Sequence, residues 1–277
     1  MKNKKKDLLL RLGALLLALL LLAGIAWFAN ALLGNPISRA LVKRNAARYL
    51  GEHYASLGYE LDSVSYSFKT GGYLVHLTCP DSMDGDFTLS FGMAGNLTGD
   101  DYGSRVSGHG NIVRRLDMAY RARVDEVLES ASYPYEIDFA YGSLDFDREA
   151  GEEADPLALS RDALENDRFY DVSELGKTNG TLVLYIESDT VDLQTAGEVL
   201  ITTKRLLSDA GVGFRRVDLV LRYPLYGEGS ARPEGSIRVE GFLAEDIEPD
   251  GIEEKLRAAC EEAAGRDEDA DKAFAVN

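Results

Sequence analysis

The residues best placed for chemistry are three aspartates set close together: Asp81, Asp84 and Asp86, in a stretch that also holds Pro80 and Gly85. Clustered carboxylate oxygens suit Ca2+, and a metal-assisted hydrolase would use such a loop. Their spacing is not that of an EF-hand loop. An Asx turn, in which aspartates bond their own backbone, accounts for the same residues without a metal. Asp100-Asp101 reads as a turn at a strand end. His53, His76 and His109 stand apart, with neither HxH nor HExxH spacing to suggest zinc. No G-x-S-x-G elbow, no S-x-x-K with partners, no P-loop and no G-x-G-x-x-G occurs. With 47 Asp and Glu in the chain, finding two carboxylates for glycoside hydrolysis carries no information. No catalytic residue emerges, and no cofactor is expected beyond the Ca2+ alternative.

Two cysteines exclude a disulfide framework and any four-cysteine metal site. Cys79 and Cys260 could pair in an oxidising exterior. Strand alternation puts Cys79 on the side of Val75 and Leu77, which favours a buried free thiol.

What positions these residues begins with an address. Lys2, Lys4, Lys5, Lys6 and Arg11 open the chain, and residues 12–33 then carry no charge. A helix over that stretch spans about 33 Å, enough to cross the hydrocarbon layer. Residues 1–34 therefore read as a cytoplasmic basic tip and a transmembrane anchor, with lipid the partner of residues 12–33. Trp27 and Asn30 suit the far membrane boundary. Ala29-Asn30-Ala31 has the form of a signal-peptidase site, so a cleaved export signal is the alternative; the length of the apolar run favours the anchor. The basic residues tight against the N-terminal side favour an N-terminus inside and the remainder outside, a single-pass protein of the cell membrane.

The formal net charge is −17, and most of the acid lies beyond the anchor. Such a surface repels phosphate, which argues against a nucleic-acid partner. With 45% hydrophobic residues, the chain has enough apolar material for a core.

Asn35-Pro36 is a helix start, cap followed by first turn. Ile37, Ala40, Leu41, Arg44, Ala47, Leu50, Tyr54 and Leu57 then recur at helical steps as the expected inward face. Alternation through Val64 and Tyr66, then Tyr73, Val75 and Leu77, then Phe87, Leu89 and Phe91, with a short strand near residues 97–102, predicts an antiparallel meander. A helix over residues 111–132 and a strand over 135–146 complete a first α+β domain, residues 35–146. Residues 147–176 read as an acidic linker with a short helix at 156–170. Residues 177–265 read as strand, helix, strand, strand and helix, with a polar loop over 225–235. Residues 266–277 read as a disordered acidic tail. The fold class is α+β: a transmembrane helix followed by two small domains, each with helices packed on a mainly antiparallel sheet.

Several short patterns belong together. Tyr49-x4-Tyr54, Val64-x-Tyr66-x-Phe68-Lys69, Cys79-Pro80-x-Ser82-x-Asp84-x2-Phe87 and Gly95-x4-Asp100-x-Tyr102 occupy the first half. Leu182-x-Leu184-Tyr185-Ile186 and Val217-Asp218-Leu219-Val220-Leu221-Arg222 occupy the second. The chain resembles the YfjL-like proteins, membrane-anchored proteins of Gram-positive bacteria, over about residues 1–260. The resemblance implies architecture and assigns no catalytic residue. The first half is also similar in layout to PepSY-type modules, which implies a protease-inhibitory alternative. The expectation is an extracytoplasmic binding or regulatory module of the cell envelope, with an envelope protein as partner and no catalytic activity. A metal-assisted envelope hydrolase is the alternative from another class.

Overall fold

The computed structural model describes residues 2–146, 158–224 and 235–274. The chain divides into two compact units, Met1–Asn111 and Ile112–Asn277.

The first unit opens with α1 (Lys2–Leu33), within which Arg11–Asn30 is long and apolar enough to span a membrane, with mean hydropathy 2.5 and none of it buried. α2 (Pro36–His53) follows after a two-residue corner. Asn35 caps it as expected, its side chain accepting from Ser38 N at 2.7 Å. The strands β1 (Glu60–Ser67), β2 (Gly72–Thr78), β3 (Phe87–Gly92) and β4 (Leu97–Asp100) pair in sequence order, all antiparallel. Alternation makes this sheet two-faced. Tyr73, Val75, Leu77, Phe87, Leu89 and Phe91 are buried in one core with Val42 and Ala46 of α2. Leu74, His76, Thr88 and Ser90 lie half-buried on the other face.

The buried face of α2 differs from the expected one. Ile37 is 81% exposed, and the inward stripe is Ser38, Val42, Asn45, Ala46 and Tyr49, with Leu50 of the expected face packed on the same core. The reason is polar. Asn45 Nδ2 donates to the Gly95 carbonyl at 2.7 Å, so the helix turns a hydrogen-bonding residue towards the β3–β4 turn. A stripe chosen by apolarity alone misses that rotation.

The second unit contains α3 (Gly110–Leu128), β5 (Glu136–Leu144), α4 (Val172–Asn179), β6 (Gly180–Glu187), α5 (Leu193–Asp209), β7 (Arg216–Arg222), β8 (Ser236–Leu243) and α6 (Ile252–Phe274). Its sheet order is β5-β6-β7-β8. β6 and β7 are parallel, joined through the α5 crossover, and the other pairs are antiparallel. Asp192 caps α5, accepting from Thr195 N at 2.7 Å. On α3 the residues Ile112, Leu116, Tyr120, Val124 and Leu128 recur every fourth position, and all are buried. Leu182, Leu184 and Ile186 are wholly buried on β6, each contributing roughly 1.5–3 kcal/mol of burial.

The break between units is not where charge placed it. β5 pairs along β6, from Glu136 opposite Glu187 to Leu144 opposite Gly180, so α3 and β5 belong to the second unit rather than to residues 35–146. An acidic run marks solvent exposure, and here it interrupts one sheet. Across the end of the expected linker and the start of the expected second domain, α4 forms over Val172–Asn179, capped by Asp171. Of the short helix expected at 156–170, the described part holds a 3-10 turn, Arg161–Ala163. α6 continues to Phe274, past the expected helix end near Ala264 and into the expected tail. Residues 147–157 of the linker, 225–234 of the polar loop and 275–277 of the tail lie outside the described residues. Cys79 and Cys260 are free, each half-buried.

One buried pair predicts a pH response. Thr203 Oγ1 donates its single hydrogen to the Val199 carbonyl at 2.8 Å, so Tyr133 O–H must donate to Thr203, at 2.9 Å. Burial pushes the Tyr133 phenol up to about 12, and raises Tyr120 as well. The unfolded phenols ionise near an ordinary value of about 10. The contribution to stability is therefore complete below about pH 10 and is lost as pH rises through the folded value. Urea unfolding of the full chain in detergent should show a midpoint that falls between about pH 10 and pH 12. In Tyr133→Phe that fall should be shallower.

Candidate functional site

The polar and aromatic residues of the first unit gather at one end of its sheet. β1 runs away from this end and β3 starts at it, while α2 finishes there. The last turns of α2 therefore bring Tyr49, His53 and Tyr54 to Tyr59, to Phe87 of β3 and to Asp100 and Tyr102 at the end of β4. Asp100 organises the group. Its Oδ2 accepts from Tyr49 at 2.9 Å and from Tyr54 at 2.7 Å, and its Oδ1 accepts from Tyr102 N at 2.9 Å.

The rings form a continuous array. His53 stacks on Tyr49 at 4.0 Å between centroids. Tyr54 meets Tyr102 at 4.8 Å and Phe87 at 5.0 Å, and Tyr59 meets Phe87 edge-on at 4.9 Å. Such edge and offset contacts are favourable beyond the area they bury. Burial raises the Tyr49 and Tyr54 phenols, and the Asp100 hydrogen bond and charge raise them further. Both therefore remain protonated donors at neutral pH. Phenols held neutral on a carboxylate are poor nucleophiles and poor bases. Rings with half-exposed faces beside an exposed carboxylate are suited to binding.

The three aspartates singled out in the sequence lie at this same end but do not converge. Asp84 is buried, while Asp81 and Asp86 are exposed. Asn111 Nδ2 donates to the carbonyls of Asp84 and Asp86 at 2.9 and 2.6 Å, and Ser82 Oγ accepts from Asp84 N at 3.2 Å. The loop is thus pinned through its backbone by a Ser82 side-chain turn and by Asn111, rather than by the aspartate-to-own-backbone bonds the sequence suggested. His76 Nε2 lies 3.7 Å from Asp86 Oδ2, His53 stacks on Tyr49, and His109 occupies a positive-φ loop position. Among the described residues, no three His, Cys, Asp or Glu side chains are grouped to hold a metal ion.

The second unit has a small cavity of about 110 Å³ beside Asn179, Ser160, Thr181 and Arg215. Asn179 is fully engaged there. Its Nδ2 donates to the Asp145 and Leu159 carbonyls at 2.7 and 2.8 Å, and its Oδ1 accepts from Leu159 N and Thr178 Oγ1. That is a latch holding the chain on either side of 147–157, not a free binding group. A wider groove runs between α5, β8 and α6, past Gln194, Arg238, Arg257 and Cys260. Burial raises the Cys260 thiol, which makes it a weak nucleophile.

Residues 9–101 match the model of the YfjL-like N-terminal domain, and residues 119–257 match that of the YfjL-like C-terminal domain. The chain belongs to the YfjL-like family. The interval between the two matches brackets the structural break at Asn111 and Ile112. No curated protein and no solved structure matches this YfjL-like chain significantly. Tyr49, Tyr54, Phe87 and Asp100 all fall within the N-terminal match. As functional candidates they were missed in the sequence because Asp100 read as a turn. The available signal was Tyr49-x4-Tyr54 at a helix end, with Asp100-x-Tyr102 closing the strand that reaches it.

Proposed function

We propose that this YfjL-like protein is a single-pass membrane protein whose two α+β units stand outside the cytoplasm as a binding or regulatory module of the cell envelope. The observation that carries this reading is spatial. An apolar, unburied helix enters the first unit at one end of its sheet, and the half-exposed tyrosines gathered on Asp100 occupy the opposite end. The far end presents half-exposed rings beside an exposed carboxylate. Aromatic faces with hydroxyls and a carboxylate favour a protein or saccharide partner of neutral or basic character.

Asp100→Ala removes the acceptor of three hydrogen bonds. It should cost about 1–2 kcal/mol, read by urea unfolding in detergent, and leave the fold intact. A photo-crosslinking residue at His53 should capture an envelope component in living cells, and Asp100→Ala should lower that yield several-fold. Equal yields with and without Asp100, or turnover of an envelope substrate lost on carboxylate substitution, would defeat the binding-module reading.

A further inference from the structure

The anchor does not join the first unit through a flexible linker. Leu33 ends α1, and the corner Gly34-Asn35 is clamped to the sheet. Tyr73 O–H donates to the Asn35 carbonyl while Asn35 N donates back to the Tyr73 oxygen, both at 2.8 Å. Asn35 Nδ2 also reaches Asn30 Oδ1 at 2.9 Å. Gly34 sits at φ +69, and a Cβ there would lie 2.6 Å from the Tyr73 hydroxyl and 2.8 Å from the Tyr66 ring. Only glycine fits both the left-handed backbone and that contact.

Tyr66 is on the last turn-ward part of β1, so the β1–β2 turn lies at the same end as the corner. This end exposes large apolar residues: Leu33 79%, Ile37 81% and Phe68 64%. Charge is sorted along the same axis. No acid occurs from residue 8 to residue 51, while Arg39, Lys43 and Arg44 lie on α2 and Lys69 in the β1–β2 turn. After Asp7, the acids of this unit begin at Glu52, and the rest stand at the start of β1, in the loop of residues 81–86 and at the end of β4. In a chain of net charge −17, the anchor-side end thus carries bases and exposed apolar side chains without acids, while at the far end Arg48 and Arg105 stand paired among the acids.

A headgroup layer is only a few ångströms deep beyond the hydrocarbon, and no spacer separates Leu33 from the clamp. We infer that the anchor-side end of the first unit, with Ile37, Phe68 and Lys69, is seated in the headgroup layer of a bilayer containing anionic phospholipid. Aromatic and aliphatic side chains enter the boundary while Arg39, Lys43 and Lys69 meet phosphate, the usual division of labour at such interfaces. The seat fixes the orientation of the unit and holds its acidic aromatic end away from a surface that would repel it. The inference rests on the anchored reading above.

The test uses the full chain in nanodiscs, with Cys79→Ser and Cys260→Ser as background and a spin label at Thr70→Cys or at Asp81→Cys. In discs containing phosphatidylglycerol, the label at residue 70 should be several-fold more accessible to oxygen than to a water-soluble nickel complex. The label at residue 81 should show the reverse. Discs of phosphatidylcholine alone, or Lys69→Glu, should move residue 70 into water. A residue 70 as aqueous as residue 81 in anionic discs, or indifferent to headgroup charge, overturns the inference. Carbonate resistance of the same chain separates the two ideas: resistance with an aqueous residue 70 leaves the anchor standing, and extraction removes the anchor itself.

Discussion

Gly176→Ala should unfold or loosen the second unit, with a loss of about 3 kcal/mol. The residue has no room for a methyl group. A Cβ at position 176 would clash with the Gly213 carbonyl oxygen and lie 2.6 Å from Tyr120 Cε2. Neither neighbour is free to yield. Gly213 O accepts the Tyr120 hydroxyl at 2.8 Å, and Gly213 N donates to Ser173 O. Tyr120 itself is wholly buried, and Gly142 and Gly180 also make close approaches to its ring and hydroxyl. One tyrosine from α3 is thus fitted among glycines of β5, α4 and β6, and a methyl group at Gly176 must push α4 off the sheet. Gly51→Ala is the matched contrast. Gly51 lies in α2 with nothing near its missing Cβ, so alanine there should stabilise by about 0.5–1 kcal/mol through helix propensity. Urea unfolding in detergent, with amide exchange over residues 112–274, measures both. Two substitutions of equal and small effect would contradict the packing described around Tyr120.

The second large effect concerns the anchor. Leu16 and Leu20 lie one turn apart near the middle of Arg11–Asn30, and both are exposed on a helix without protein neighbours. Arginine at the centre of a spanning helix costs about 2.5–3.5 kcal/mol. Leu16→Arg with Leu20→Arg should therefore shift the chain from the carbonate-resistant membrane fraction to the soluble one. The wild-type chain should stay in the pellet. Retention of the double variant at wild-type level would show that something other than this helix holds the chain to the membrane.

Local signals were legible and long-range ones were not. Asn35 and Asp192 cap their helices because a cap is decided within three or four residues. The meander followed from alternation in β2 and β3, since one buried face dictates a period of two. The buried face of α2 was misjudged because Asn45 and Tyr49 turn inward to meet Gly95 and Asp100, which lie about 50 residues on. The break between units was misjudged because the acidic run near residue 150 sits inside a sheet connection, whereas Gly108-His109-Gly110 lies at the true break. α4 escaped notice because a helix this short carries only Val172 and Leu175 as apolar contacts, half-buried beside the fully buried Gly176 and Asn179. The cluster on Asp100 required contacts between α2 and the end of β4, which the spacings Tyr49-x4-Tyr54 and Asp100-x-Tyr102 mark separately without joining them.

The most direct test of the membrane-anchored, outward-facing module is the side of the membrane on which its acidic end lies. The probe is a membrane-impermeant maleimide applied to cells carrying Asp81→Cys in the Cys79→Ser, Cys260→Ser background. Labelling on intact cells, equal to that after permeabilisation, is the expected result. Labelling that appears only after permeabilisation contradicts it, because residue 81 would then face the cytoplasm.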